Sequence, residues 1–274
     1  MARALVSFLS DYGYEDEFVG VCHGVIAGRC PVARIIDITH EIPRGDIRRG
    51  ALVLADALPY MPAGVHLAVV DPGVGAGRAA VALRAAERER VLVGPDNGLL
   101  MIAAERFGGA LEAVEISESP ERLRPVSGTF HGRDIFAPVA AALAAGASLA
   151  KVGAPIDATE LRRLELPAAS VEDGALTAHV LRADRFGNLT LDASGGELRS
   201  ALGSVQRELV VEAAGKAFAA RRAGTFSDVP AGELVVYEDG NRMAAIAVNL
   251  GSAAELLGIA PDEQLRVLTA KAAA

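Results

Sequence analysis

Three apolar runs in the first hundred residues each end on an aspartate and then on turn residues: "FLSDYG" (8–13), "AVVDPG" (68–73) and "VGPDNG" (93–98). The runs are apolar throughout rather than alternating, which marks strands covered on both faces. Between them, "FVGVCHGVIAG" (18–28) places Phe18, Val21, Cys22, Val25 and Ile26 at helical spacing, and Cys30-Pro31 stops it. "DIRRGALVLADALPYM" (46–61) is a second helix with Asp46 as its N-cap. The spacing predicts strands at 4–10, 33–39, 65–71, 78–86 and 89–96, and further helices at 99–108 and 135–146. Such alternation predicts an N-terminal α/β domain over residues 1–160, with a largely parallel central sheet flanked by helices. Ligands of open α/β sheets bind at the carboxyl ends of the strands. Asp11, Asp71 and Asp96 therefore suggest a polar crevice. Each alone is equally well a turn residue; three at strand exits favour function.

The texture changes near residue 160. "LRRLELPAASVEDG" (161–174) reads as a linker, and short β-like runs separated by Gly and Asp turns fill 175–270. They predict a smaller all-β barrel or sandwich in which "SAAELLG" (252–258) is the one short helix. With 51% apolar residues in 274, both domains can bury cores. A net charge of −8 and no basic cluster longer than two residues argue against nucleic acid and anionic membranes as partners. No apolar stretch is long enough to span a bilayer, and the N-terminus does not read as a signal peptide, so a cytoplasmic location is expected. Cys22 and Cys30 form neither a disulfide framework nor a zinc pattern and read as buried thiols.

The segment "VVDPGVGAGRAAV" (69–81) is rich in glycine but lacks the Lys-Ser or Lys-Thr of a phosphate loop. A strand follows it, whereas a dinucleotide site needs a helix N-terminus. The glycines then serve to turn the chain, and the turn can carry Arg78 back beside Asp71, where its charge would hold the carboxylate ionised. Among five histidines no pair has metal-ligand spacing, and no metal site is expected. His131, in "SGTFHGRDIFAP" (127–138), lies between two glycines just before a helix. It is either a surface-loop residue or a group suited to moving protons. "RADRFGNLTLD" (182–192) gathers Asp184, Phe186 and Asn188 around one glycine, as a ring and amide for a base or as a plain hairpin turn.

Seven motifs in order, "SDYGYEDEFVG", "DITHEIPRGDIRRGA", "VVDPGVGAGR", "GPDNGLL", "GTFHGRDIFAP", "DRFGNL" and "IAVNLGSAAELLG", make the chain resemble the S-adenosylmethionine (SAM) hydroxide adenosyltransferases, or SAM hydrolases. These are relatives of the enzymes that attack SAM with fluoride or chloride. The resemblance implies an α/β domain followed by a β-barrel, and a homotrimer with SAM sites between one subunit's N-terminal domain and its neighbour's C-terminal domain. It implies no cofactor beyond the substrate, and adenosine and methionine as products. The family's water-positioning set falls on Asp71, Arg78 and His131. The ribose-binding aspartate falls on Asp11, positions near methionine on Asp16 and Asp184, and adenine-side positions on Phe186, Asn188 and Val248. Halogenating relatives carry an aromatic residue at the place of Asp71 and lack the counterpart of His131, which favours water over halide. Two readings stay beside hydrolysis: a halide-using synthase and a non-catalytic SAM or adenosine sensor. The chain departs from its relatives at Gly240-Asn241-Arg242, where they show a serine, an aromatic residue and a glycine, and at Gly45, where they often place an aromatic residue.

Overall fold

Every side chain of the first strand, β1 (Leu5–Ser10), is buried, as its unbroken apolar character requires. The pleat sends Val6 and Phe8 into one core and Leu9 into another. The protein is seen here as a computed structural model that describes residues 4–203, 207–270 and 272. The chain divides into two units, Met1–Leu164 and Glu165–Ala274.

The first unit runs β1, α1 (Phe18–Arg29), β2 (Arg34–Thr39), α2 (Ile47–Ala57), β3 (Gly64–Val69), β4 (Ala80–Ala85), β5 (Arg90–Pro95), α3 (Met101–Glu105), β6 (Ala110–Glu115), α4 (Ala137–Ala144), α5 (Leu149–Val152) and β7 (Ala154–Ile156). Among the described residues these strands form a seven-stranded sheet in the order β2-β1-β3-β5-β4-β6-β7. The first four in that order are parallel. The other three pair antiparallel because a short turn joins β4 to β5 as a hairpin. The helices cover both faces. Ile26 of α1 and Val139 of α4 pack with Phe8 and Val69, while Leu54 of α2 and Met101 of α3 pack with Leu9 and Val70.

Three local expectations shift. α1 buries Val19, Cys22 and Ile26 rather than the stripe starting at Phe18, because Phe18 turns to the Phe130 ring, 5.2 Å away. The helix expected over 99–108 contracts to α3, with Leu99 and Leu100 buried ahead of it. β6 and β7 were not foreseen: "ALEAVE" alternates weakly and β7 has three residues. Asp46 does cap α2, its carboxylate accepting the Arg49 N–H at 2.9 Å.

The second unit runs β8 (Ser170–Glu172), β9 (Ala175–Ala183), β10 (Leu189–Ser194), α6 (Gly195–Leu202), β11 (Glu208–Ala213), β12 (Lys216–Arg222), β13 (Leu234–Glu238), β14 (Met243–Val248), α7 (Ala253–Leu257) and β15 (Gln264–Thr269). Strand order among the described residues is β10-β14-β13-β12-β11-β15-β9-β8, and β9 also pairs with β10. That pairing closes seven strands into a barrel and removes their free edges. β8 is added outside β9, within the stretch read as a linker. Leu176, Val180, Leu191, Val211, Val236, Ile246 and Val267 fill the core.

The barrel carries a second helix, α6, against the expectation of one. Its opening "SGGE" hides a helix behind two poor helix formers. The signal was a capping box: Ser194 Oγ accepts from Glu197 N at 3.1 Å, and Ser194 N donates to Glu197 Oε2 at 2.7 Å. Leu198, Ala201 and Leu202 then pack on the core. Ser194→Ala is expected to destabilise this unit by about 1 kcal/mol, read as a lower urea midpoint with an unchanged slope.

Candidate active site

From β1 the chain crosses to β2 on one side, then returns through α2 to β3 on the other. The carboxyl ends of β1 and β3 therefore flank the switch point, where an open sheet leaves a crevice. Asp11 is the first residue after β1, and Asp71 follows β3 by two. Arg78 precedes β4, whose N-terminus lies at the same end of the sheet because β4 runs antiparallel to β5. Asp96, after β5, is not part of this group. Its Oδ1 accepts from the Arg162 backbone N–H at 2.9 Å, and the neighbouring Asn97 amide donates to the Val70 carbonyl at 2.9 Å. Both brace the strand ends.

Asp71, Arg78 and His131 are in direct contact. Arg78 Nε donates to Asp71 Oδ1 at 2.9 Å and Oδ2 at 3.0 Å, and Nη2 donates to Oδ2 as well. The second Nη2 hydrogen goes to His131 Nδ1 at 2.9 Å. A guanidinium can only donate, so Nδ1 is the accepting nitrogen and the neutral ring carries its proton on Nε2. Burial, and then the Arg78 charge, hold His131 below its ordinary range; Asp71 and Asp134 act in the other direction. The Asp71 and Arg78 side chains are only 6% and 9% exposed, and the guanidinium carbon sits 5.1 Å from the Phe136 ring centroid. The result is an ion pair in a low-dielectric wall with an imidazole on its flank.

Glycines bring the two loops together. Gly75 has φ +75, and a Cβ there would lie 2.5 Å from the Gly128 carbonyl oxygen. No other residue lets the 71–78 loop approach the 127–131 loop so closely. Gly132 opens a π-helical turn, Gly132–Phe136, and a Cβ there would collide with the Tyr12 hydroxyl. Tyr12 also meets Phe130 edge-on at 5.8 Å, so the residue after Asp11 sets the place of the residue before His131. Asp134 completes the brace: nearly fully buried, it accepts from Ser127 N at 2.7 Å and from Arg133 Nε at 2.6 Å. Tyr12, Asp134 and Phe136 escaped the sequence reading. The signal available was their place inside "SDYG" and "HGRDIF", next to residues already chosen.

Asp11 is half-buried, and its Oδ2 accepts the Gly45 N–H at 2.8 Å. Burial raises its pKa, the Gly45 bond and Arg44 lower it, and the Asp71 charge raises it further. Gly45, noted as a departure from relatives, is thus an anchor for Asp11 through its backbone. Asp16 is exposed ahead of α1.

In the second unit, Asp184 shapes its own turn. Oδ1 accepts from Phe186 N at 2.8 Å and Asn188 N at 3.0 Å, and Oδ2 accepts from Asn188 Nδ2 at 2.9 Å. Phe186 is left 68% exposed on that turn. Val248, at the end of β14, is buried and its carbonyl accepts from Gly251 N at 3.2 Å. The divergent Gly240-Asn241-Arg242 loop is a tight β13–β14 turn built on Asp239, whose Oδ1 accepts from Asn241 N at 2.8 Å and Met243 N at 2.9 Å.

Models of the SAM hydroxide adenosyltransferase N-terminal and C-terminal domains match residues 6–153 and 178–266. A protein named (R)-S-adenosyl-L-methionine hydrolase from Salinispora tropica is 52% identical over 96% of this chain and 97% of its own length. A fluorinase from an Actinoplanes species is 29% identical over 89% of this chain and 91% of its own. The crystal structure of an uncharacterised conserved protein from Thermotoga maritima superposes with a TM-score of 0.90 at 35% identity, covering 96% of this chain and 99% of that one. With both domain models in order and this likeness across nearly the whole length, the chain belongs to the SAM hydroxide adenosyltransferase family.

Proposed function

We propose that the protein hydrolyses S-adenosyl-L-methionine to adenosine and L-methionine by attack of water at the ribose 5′-carbon. The observation that carries this reading is Arg78 bridging Asp71 and His131 at the switch-point crevice. The relatives named as SAM hydrolases support it.

The substrate is a sulfonium. As the oxygen–C5′ bond forms, the C5′–S bond breaks, its electron pair goes to sulfur and methionine leaves as a neutral thioether. No acid and no cofactor is needed for departure. The barrier lies with water, which must sit in line with the breaking bond and lose a proton. In-line placement is worth about 7–11 kcal/mol in well-aligned systems, and a positioned base adds roughly 10²–10⁴-fold.

The hydrogen bonding divides these tasks. His131 has Nδ1 engaged by Arg78 and offers an Nε2–H, so it orients the water. Asp71 Oδ1 keeps a lone-pair direction beyond its bond to Arg78 and receives the proton. Arg78 fixes both partners and places a full positive charge beside the developing hydroxide. Asp11, held by Gly45, presents its carboxylate to the ribose hydroxyls. Asp16 and Asp184 are assigned to the methionine end, and Phe186, Asn188 and Val248 to adenine.

We extend the proposal to a homotrimer with shared sites, acting in the cytoplasm. Phe186 and Leu250 support the shared site: both are largely exposed on turns of the barrel, and the Phe186 turn is tied to α7, the helix that follows Leu250, by the Ala254 N–H to Gly187 carbonyl bond of 3.0 Å, so apolar surface is left for a partner. A halide would meet the Asp71 carboxylate as a like charge, which disfavours the synthase reading.

Purified protein with SAM is expected to release adenosine and methionine in equal amounts, followed by chromatography. SAM binding by calorimetry with no adenosine above an enzyme-free control would establish a sensor instead, and 5′-chloro-5′-deoxyadenosine in chloride would establish the synthase. Asp71→Asn and His131→Ala are each expected to lower kcat by about 10²–10⁴-fold while adenosine binding stays near wild type; wild-type turnover in either removes that residue from the mechanism. The acid limb of kcat should lie below pH 6.5, the ordinary histidine value, because burial and Arg78 disfavour the imidazolium and only the neutral ring accepts from Arg78. Activity is then present above that limb and lost as the pH falls through it. A limb at or above 6.5 counts against the assignment.

A further inference from the structure

Behind the Asp11 loop lies a cluster that the hydrolysis does not use. We propose that His23, Asp37 and His40 form a binding site for one divalent transition-metal ion of zinc's class. Their nearest donor atoms all lie within 4.8 Å of one another. His23 Nε2 is 2.9 Å and His40 Nε2 is 3.1 Å from the same oxygen, Asp37 Oδ1. Zinc bonds of about 2.0–2.1 Å in a tetrahedron put ligand atoms roughly 3.3 Å apart, so small side-chain movements admit the ion.

His40 provides the second, independent observation. Its side chain is fully buried, and Nε2 has no aligned hydrogen-bond partner among the described residues despite the nearby carboxylate. A buried ring nitrogen in this state costs free energy unless something accepts its lone pair. The other nitrogen, Nδ1, is 2.7 Å from Ser10 Oγ. With Ser10 as acceptor, Nδ1 carries the proton and Nε2 presents its lone pair to the cluster, the support that ligand histidines receive from a neighbouring polar group. Phe8 and Tyr14 stand edge-on to the ring at 4.6 and 5.2 Å and fix its plane.

Two imidazoles and one carboxylate suit zinc and its neighbours rather than calcium or magnesium, which take oxygen ligands. His23 and Asp37 are about one-third exposed, which gives the ion an entry path and room for a water as fourth ligand. The spacing hid the site from the sequence: the residues come from α1, from β2 and from the turn after β2. The ion would brace the loop that carries Asp11. Ser10 Oγ contacts the His40 ring, and the Gly13 N–H donates to the His40 carbonyl at 2.8 Å.

The test uses the full chain, stripped with chelator and titrated with zinc chloride, with bound metal counted by mass spectrometry and thermal melting followed in parallel. Cobalt chloride supplies an absorption band that reports tetrahedral nitrogen and oxygen ligation. About one zinc per chain and a raised melting midpoint are expected. His23→Ala and Asp37→Asn, at partly exposed positions that leave the fold intact, should abolish both effects, and Ser10→Ala should weaken binding about 10–100-fold. Failure of the wild-type chain to retain zinc, or equal retention by the wild type and His23→Ala, overturns the proposal. Neither result depends on whether the protein turns over SAM.

Discussion

The guanidinium of Arg78 has Asp71 on one edge, His131 on another and the Phe136 ring beneath it. Two side chains of opposite charge, each less than a tenth exposed, are an expensive thing to fold. Desolvating such a pair costs several kcal/mol, and apolar residues of the same size commonly give equal or better stability. The pair therefore makes little sense as a stabilising feature and good sense as chemistry. A fixed positive charge in a low-dielectric wall acts more strongly on a developing anion than the same charge in water. It also decides the histidine's tautomer, which a solvent-exposed His131 would leave free to vary.

That interaction makes demands on chain segments far from it. Asp71 and Arg78 lie seven residues apart and His131 follows after fifty-three more. The 71–78 loop must cross the end of β5 and press against the 127–131 loop, which is why Gly75 faces the Gly128 carbonyl. Asp134 ties that second loop to the start of the π turn, and the turn delivers Phe136 beneath Arg78. A tighter α-helix starting at His131 would place Phe136 at a different angle to the site, so the wide turn is part of the geometry.

Much of this was legible. Unbroken apolar runs ending in aspartate gave the parallel strands and their exits, and the strand expected after "GVGAGR" is present, with Arg78 turned back onto Asp71. Other parts were harder to read. β6 and β7 have weak local signals and are formed by pairing with other strands, and the capping box that starts α6 is masked by two glycines. Asp96 resembled Asp11 and Asp71 in its local sequence, yet a backbone N–H sixty-six residues away engages its carboxylate. Asp184 builds its own turn through three hydrogen bonds, a structural part that the glycine-rich context did not distinguish from the substrate-side place the resemblance implies for it. His23, Asp37 and His40 fit no spacing rule, since their meeting is a product of β2 lying beside β1.

The segment Ser10–Gly13 shows how one short loop meets several constraints at once. Successive residues point in different directions, and each finds its own partner. Ser10 meets the His40 ring, Asp11 the Gly45 N–H, Tyr12 the Gly132 and Phe130 side, and Gly13 the His40 carbonyl. A loop bound at four consecutive residues has little freedom left to lose when a ligand arrives, and that is how a site becomes preorganised. The same loop links the two clusters. Ser10 belongs to the His40 side and Asp11 to the crevice side, with one peptide bond between them. Anything that tightens the His23–Asp37–His40 cluster also restricts Asp11 through that peptide bond, and a carboxylate proposed to hold two adjacent hydroxyls gains most from such restriction.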